Sequence, residues 1–185
     1  MPHPNILERK DCALVVIDVQ EAFRNVIPQF EQIAVRISTA VRGFGILNVP
    51  ILVTEQYPKG LGPTVEEISL SLPEGTIPFE KKSFSSCGAE PFRDRLAEMD
   101  VNQIVLCGIE THVCVSQTAH DLLELGFDVH VLTDCVASRF EHDKDAGLSK
   151  MYGSGVDPSS TEMALFELMR DAGHEKFKEI QALIK

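Results

Sequence analysis

Three residue types in this 185-residue chain are placed to do chemistry: a cysteine, an aspartate and a lysine. The cysteine is Cys114, in VNQIVLCGIETHVCVSQTAHDLLELGF, residues 101–127. That stretch opens with the apolar run Ile104 to Cys107 and turns through Gly108-Ile109-Glu110-Thr111-His112-Val113. It continues with Val115, Thr118, Ala119, Leu122 and Leu123 at three- and four-residue spacing. The pattern predicts strand, turn and helix, with Cys114 near the helix start. Free N–H groups and the positive end of the macrodipole there lower a thiol pKa and favour the nucleophilic thiolate. The same N–H groups can stabilise an oxyanion beside the sulfur. Packing is the commoner fate of a free cysteine, which behaves as a small buried hydrophobe.

The aspartate is Asp18, closing the run Ala13-Leu14-Val15-Val16-Ile17. A carboxylate at the end of a buried strand is costly unless it is paired or working. Its alternative reading is a loop-capping aspartate. The lysines are Lys81 and Lys82 in FEKKSFS. Two adjacent lysines ordinarily form a solvated face.

The elements that must position these groups follow from periodicity. Strands are predicted at 13–19, 49–54, 79–85, 104–107 and 128–133, with a short last one after the 153–157 turn. Helices are predicted at 30–47, from 64, and at 91–99, 115–126, 141–152, 161–170 and 175–184. In the 30–47 helix the expected inward positions are Ile33, Val35, Ile37, Ala40, Val41 and Phe44. Residues 55–63, rich in Gly and Pro, read as an irregular binding rim. Strands alternating with helices predict a single α/β domain over 1–185: a three-layer αβα sandwich on a mostly parallel, doubly wound (Rossmann-like) sheet of about six strands. Sites in such sheets gather outside the carboxyl ends of strands, which would bring Asp18 and Cys114 to one edge.

Composition bounds the partners. The chain is 44% hydrophobic and 24% charged, with a formal net charge of −11. An acidic chain of this kind is a poor match for nucleic acid or an anionic membrane, and a small-molecule substrate is expected instead. The five cysteines, Cys12, Cys87, Cys107, Cys114 and Cys135, are widely spaced and form no CxxC pair. Reduced thiols and a cytoplasmic setting are expected. The N-terminus lacks the apolar core of a signal peptide, and no apolar run approaches a membrane span.

Asp18 in VVIDVQ, Lys81 in KKSFS and Cys114 in GIETHVCV, in that order, resemble the triad of isochorismatase-like cysteine hydrolases. The resemblance covers nearly the whole chain. TEQYPKGLGPTV, GIETHVCVSQTAHDLL and KFKEIQALIK are most similar to the isochorismatase domain-containing branch. It implies Cys114 as nucleophile, Asp18 as proton acceptor and donor, and Lys81 as the cation that holds Asp18. Lys81 is chosen because the family lysine falls three residues before the aromatic of Phe84-Ser85; Lys82 is the alternative. The resemblance also implies a cis peptide at Ile109–Glu110, with the N–H groups of Glu110 and Cys114 as the oxyanion hole, and a homo-oligomer. Gln20, Phe23, Tyr57, Leu61, Glu110 and His112 are expected near the cleft from their closeness to the motif ends.

Departures from the family sharpen the expectation. Nicotinamidases carry an Asp-x-His metal cluster after the second strand; Thr54-Glu55-Gln56-Tyr57 stands there in this chain. A metal-independent enzyme without cofactor is therefore expected. His112 reads as a site-rim residue, His120 and His130 as structural or surface ones. A cysteine nucleophile suits an acyl or amide-like carbon rather than the vinyl ether of isochorismate. Two other classes compete. One is a non-catalytic binding domain on the same scaffold. The other is a nucleotide- or flavin-binding domain, which Val19-Gln20-Glu21-Ala22-Phe23 disfavours, since no GxGxxG follows the first strand.

Overall fold

A computed structural model describes residue 3 and residues 5–185. β1 (Cys12–Ile17) leads through a short helical turn to α1 (Phe30–Ile46) and β2 (Ile51–Gln56). Two one-turn helices follow, α2 (Pro58–Leu61) and α3 (Glu66–Ser69), and then β3 (Phe79–Lys81). α4 (Glu90–Glu98) precedes β4 (Gln103–Ile109), and a π-helical turn (Thr111–Val115) runs straight into α5 (Ser116–Glu124). β5 (Asp128–Ala137), α6 (Glu141–Gly153), β6 (Asp157–Ser159), α7 (Thr161–Met169) and α8 (Phe177–Leu183) complete the chain.

The six strands form one all-parallel sheet in the order β3-β2-β1-β4-β5-β6. Helices cover both faces, so the central strands are buried on both sides and read as continuous apolar runs. Alternation survives inside the run. Cys12, Leu14 and Val16 face a layer with Phe30, Ile37, Val41 and Phe44 of α1, Leu165 of α7 and Ile180 of α8. Ala13, Val15 and Ile17 face the other layer, with Phe92 of α4, Leu122 of α5 and Met151 of α6. The predicted three-layer, doubly wound α/β fold is the observed one.

Details differ from expectation for local reasons. Val35 does not point inward: it is 58% exposed, and Ala34 is buried in its place. The inward stripe of α1 runs Phe30, Ala34, Ile37, Val41 and Phe44, the three- and four-residue steps of one helical face. β3 ends at Lys81 rather than Ser85 because the next residues curl around the lysine ammonium (below). β5 extends to Ala137, with a register shift against β4 between Leu106 and Gly108. Residues 58–61 close a helical turn within the predicted irregular rim.

Strand order reverses between β1 and β4. From β1 the chain builds β2 and β3 on one side, then returns to place β4 on the other. The carboxyl ends of β1 and β4 therefore flank the switch-point crevice where open α/β sheets place their sites.

Candidate active site

Asp18 is the first residue beyond β1 and takes the left-handed conformation, φ 53°. Its N–H donates to the Thr54 carbonyl at 3.1 Å, and its own carbonyl accepts the Gln20 N–H at 2.9 Å. These bonds turn the carboxylate under the end of the sheet, where it is fully buried. Thr54 lies on the neighbouring strand in register with Ile17, and its hydroxyl donates to Asp18 Oδ1 at 2.8 Å.

Lys81 ends β3 and sends its side chain inward. Its Nζ lies 2.6 Å from Asp18 Oδ2, with neither side chain exposed. The ammonium donates to Gln56 Oε1 at 2.9 Å, the Ser83 carbonyl at 3.1 Å and the Phe84 carbonyl at 2.8 Å. Those three bonds use its protons, so Oδ2 is in charge contact with Nζ yet has no well-angled hydrogen bond among the described residues. The carbonyls supply what a buried ammonium needs in place of water, without which a buried pair costs more than it returns. Lys82, by contrast, is exposed, and its carbonyl accepts Gln56 Nε2.

Cys114 arrives from β4. Gly108 sits at φ 123°, and a Cβ there would run into the carbonyl of Ile17 on β1. Only glycine lets the two strand ends approach this closely. The Ile109–Glu110 peptide bond is cis. The Glu110 carbonyl then accepts the N–H groups of Val113 (3.1 Å) and Val115 (3.2 Å), forming the turn that carries Cys114. The thiol is 7% exposed and interacts with both Asp18 and Lys81.

The protonation states follow from this packing. Burial raises the Asp18 carboxyl above its ordinary value, opposed first by the Lys81 charge and then by contacts with Cys114 and Thr54. Burial also pushes the Cys114 thiol up to about 12, helped by the Asp18 charge and opposed by Lys81. This corrects the low thiol pKa predicted from the helix start. A macrodipole acts over one turn, whereas the loss of water and a facing carboxylate act from outside the helix and win. Burial thus favours the thiol over the thiolate at Cys114.

The other predicted site residues separate into three groups. Gln20 is not available to a ligand: it is fully buried, and its amide donates to the carbonyls of Gln56 (3.0 Å) and Gly62 (2.7 Å) and accepts the Gln56 N–H (2.7 Å). It fastens the 56–62 rim to β1. Phe23 is half-buried against the core, and Leu61 is half-buried on the rim. Tyr57 is half-exposed and borders a cleft of about 410 Å³ with Lys59, Glu80 and Lys82. His112 lines a separate cleft of about 380 Å³ with Ser116, Gln117 and His120, and its Nδ1 lies 3.0 Å from Ser138 Oγ. His120 bridges the Ser116 carbonyl and Ser154 Oγ. His130 is buried on β5, and burial depresses its pKa. Among the described residues no three His, Cys, Asp or Glu side chains gather as metal ligands would.

Sequence reasoning missed three contributors. Thr54 and Gln56 hold Asp18 and Lys81; both lie in the carboxyl-terminal half of β2, a signal that could have found them. Arg139, just past β5, donates its N–H (2.9 Å) and Nε (3.1 Å) to Glu110 Oε2. Nothing in the sequence pattern marks it.

Comparison with known proteins places this geometry. The isochorismatase domain model matches residues 12–163. Isochorismatase domain-containing protein 2 of Danio rerio is 44% identical over 179 residues, spanning 96% of this chain and 89% of its own. The secreted isochorismatase effector Isc1 of Phytophthora sojae is 41% identical over 189 residues, spanning 100% of this chain and 86% of its own. The solved structure of MAR1 ribonuclease from Caenorhabditis elegans superposes with a TM-score of 0.92 at 40% identity, covering 97% of this chain and 92% of that one. With the matched domain spanning most of the chain, and relatives 44% and 41% identical over most of both chains that bear isochorismatase in their names, this protein belongs to the isochorismatase family and has its hydrolase fold.

Proposed function

We propose that the chain is a metal-independent hydrolase in which Cys114 attacks a small carbonyl substrate, an amide by preference. The observation that carries the reading is the Asp18–Lys81 pair, 2.6 Å apart and fully buried, in contact with a cysteine thiol. A buried ion pair is weak support for stability, so its place against a nucleophile is better explained by chemistry. The thiol proton passes to Asp18 Oδ2, the carboxylate oxygen without a hydrogen bond. As it does so, Sγ bonds to the carbonyl carbon and the carbonyl electrons move to oxygen. The N–H groups of Glu110 and Cys114 are the proposed donors to that oxyanion; losing one such donor typically costs about 100- to 1,000-fold in rate. Collapse expels the amine, which takes the proton from Asp18 and leaves a thioester. Water then gives its proton to Asp18 and attacks the thioester, and the departing sulfur recovers the proton. The balance is amide plus water to acid plus amine. Lys81 holds Asp18 in place and offsets its charge throughout.

The Caenorhabditis elegans relative is named a ribonuclease. The net charge of −11 on this chain works against a polyanionic substrate. The secreted relative from Phytophthora sojae means that a cytoplasmic setting does not follow from the family. No helix among the described residues is long and apolar enough to cross a membrane. Self-association into a homo-oligomer suits the exposed Leu70, Ile77, Phe84 and Phe140.

The test is a panel of small amides and ureas, with a short RNA included, assayed by product release and by acid-quenched intact mass. Turnover with an acyl mass on Cys114 is expected. Asp18→Asn should lower the rate by about 100- to 10,000-fold, as loss of a general base does. RNA cleavage, or amide turnover that survives Cys114→Ala, would overturn the reading. Ligand binding without any turnover would support a non-catalytic domain instead.

A further inference from the structure

The site holds a second ion pair that the reaction above does not use. Glu110 begins the turn that carries Cys114, and its side chain is 8% exposed. Its Oε2 accepts both the N–H of Arg139, at 2.9 Å, and Nε of the same residue, at 3.1 Å. Arg139 lies at the same sheet edge as the nucleophile, because Ala137 at the end of β5 pairs with Ile109 at the end of β4. Between them Ser138 contacts His112 of the nucleophile turn, so Arg139 and that turn are fastened together twice. The Arg139 side chain is half-exposed, at 52%.

A guanidinium at the sheet edge that carries a nucleophile is ordinarily a receptor for a carboxylate or phosphate. Here its charge is already answered by a carboxylate of the chain's own. Asp18 with Lys81 and Glu110 with Arg139 make two balanced pairs, so neither cation of these pairs is left over for an anionic substrate group. With no free cation to meet it, a substrate carboxylate entering there gives up water and gains no counter-charge, whereas an uncharged amide does not incur that cost.

We infer that Glu110 is a specificity-determining residue: by engaging Arg139 it makes the approach to Cys114 electrically neutral and selects uncharged amides or ureas over carboxylate-bearing ones. The inference rests on Cys114 being the nucleophile of the proposed hydrolase, and the experiment separates the two. Iodoacetamide and iodoacetate share size and leaving group and differ by one negative charge. Each alkylates a thiol by forming S–C, breaking C–I and releasing iodide and a proton. The quantity read is the ratio of iodoacetamide to iodoacetate rates at Cys114, followed by peptide mass at one pH and one low ionic strength. A ratio cancels any general change in thiol reactivity.

The wild-type ratio should exceed that of Cys114 in the denatured chain. Glu110→Gln keeps the backbone N–H and an acceptor for Arg139 but frees its charge. It should shift the ratio toward iodoacetate by about tenfold, the size of one unit charge acting over several ångströms in a partly solvated site. Arg139→Gln, which alters a half-exposed side chain, should shift the ratio the other way. The double variant should return to the wild-type value. A ratio unmoved by Glu110→Gln, or a shift that persists in the double variant, overturns the inference while leaving the nucleophile intact. Alkylation that bypasses Cys114 for other cysteines with both reagents overturns the nucleophile itself, and the inference falls with it.

Discussion

Replacing Lys81 with methionine should destabilise the fold by about 3–5 kcal/mol, the usual cost of removing one partner from a buried ion pair. Methionine matches the length of the lysine stem, so the loss is of charge and hydrogen bonds rather than of volume. The structure gives the ammonium four neighbours: Asp18 Oδ2 at 2.6 Å, Gln56 Oε1 at 2.9 Å, and the carbonyls of Ser83 and Phe84 at 3.1 and 2.8 Å. Asp18 is the expensive orphan, because burial already holds its carboxyl above the ordinary value and Lys81 is the largest opposing influence. Without the lysine the folded chain keeps a proton on Asp18 that the unfolded chain releases above about pH 4. The stability of the variant should therefore fall as pH rises beyond that point, by up to about 1.4 kcal/mol per pH unit, until the raised folded-state value is passed. Urea unfolding at several pH values reads both effects. Lys81→Met/Asp18→Asn should recover at least about 2 kcal/mol relative to Lys81→Met at neutral pH, since a neutral pair leaves no uncompensated charge. It should also lose the pH slope. A cost below about 1 kcal/mol for Lys81→Met, or a double variant no more stable than the single, refutes the reasoning.

Two further outcomes are expected. The ultraviolet thiolate absorbance of wild type minus Cys114→Ser should be absent at neutral pH and emerge only in the alkaline range, following a thiol pushed up to about 12; a thiolate signal at pH 7 would contradict the burial argument. Gln20→Leu removes partners from the Gln56 N–H and from the carbonyls of Gln56 and Gly62. It should cost about 2–4 kcal/mol in urea unfolding and speed amide hydrogen exchange across 56–64; unchanged exchange would mean that the rim does not depend on Gln20.

The sequence carries the sheet more plainly than the site. Double-sided burial writes β1 and β4 as unbroken apolar runs, and the strand-end rule by itself brings Asp18 toward Cys114. The neighbouring Lys81 and Lys82 are separated only by structure: β3 stops at Lys81, and the carbonyls of Ser83 and Phe84 close on its ammonium. The Cys114 protonation state is misread because the helix start is a local signal, while the burial that opposes it, and after it the Asp18 charge, come from residues far away in the chain. Gln20 looks like a cleft residue by its nearness to Asp18, yet all its bonding capacity goes to backbone groups of a loop formed far along the chain. Val35 shows the limit of periodicity: an apolar residue one step off the buried face remains in solvent.

The sheet margins carry a consequence for how copies of this chain meet. The outer strands, β3 and β6, are three residues each, and β6 contains Pro158. A proline has no N–H to offer a neighbouring strand, and a three-residue edge gives a visiting strand little to pair with. Continuation of the sheet from one copy into the next is thereby discouraged at both borders. Any contact between copies is left to helix flanks and loop tips, where side chains rather than backbone choose the partner. A chain with so many hydrophobic strands thereby folds without an open edge long enough to seed fibrous stacking.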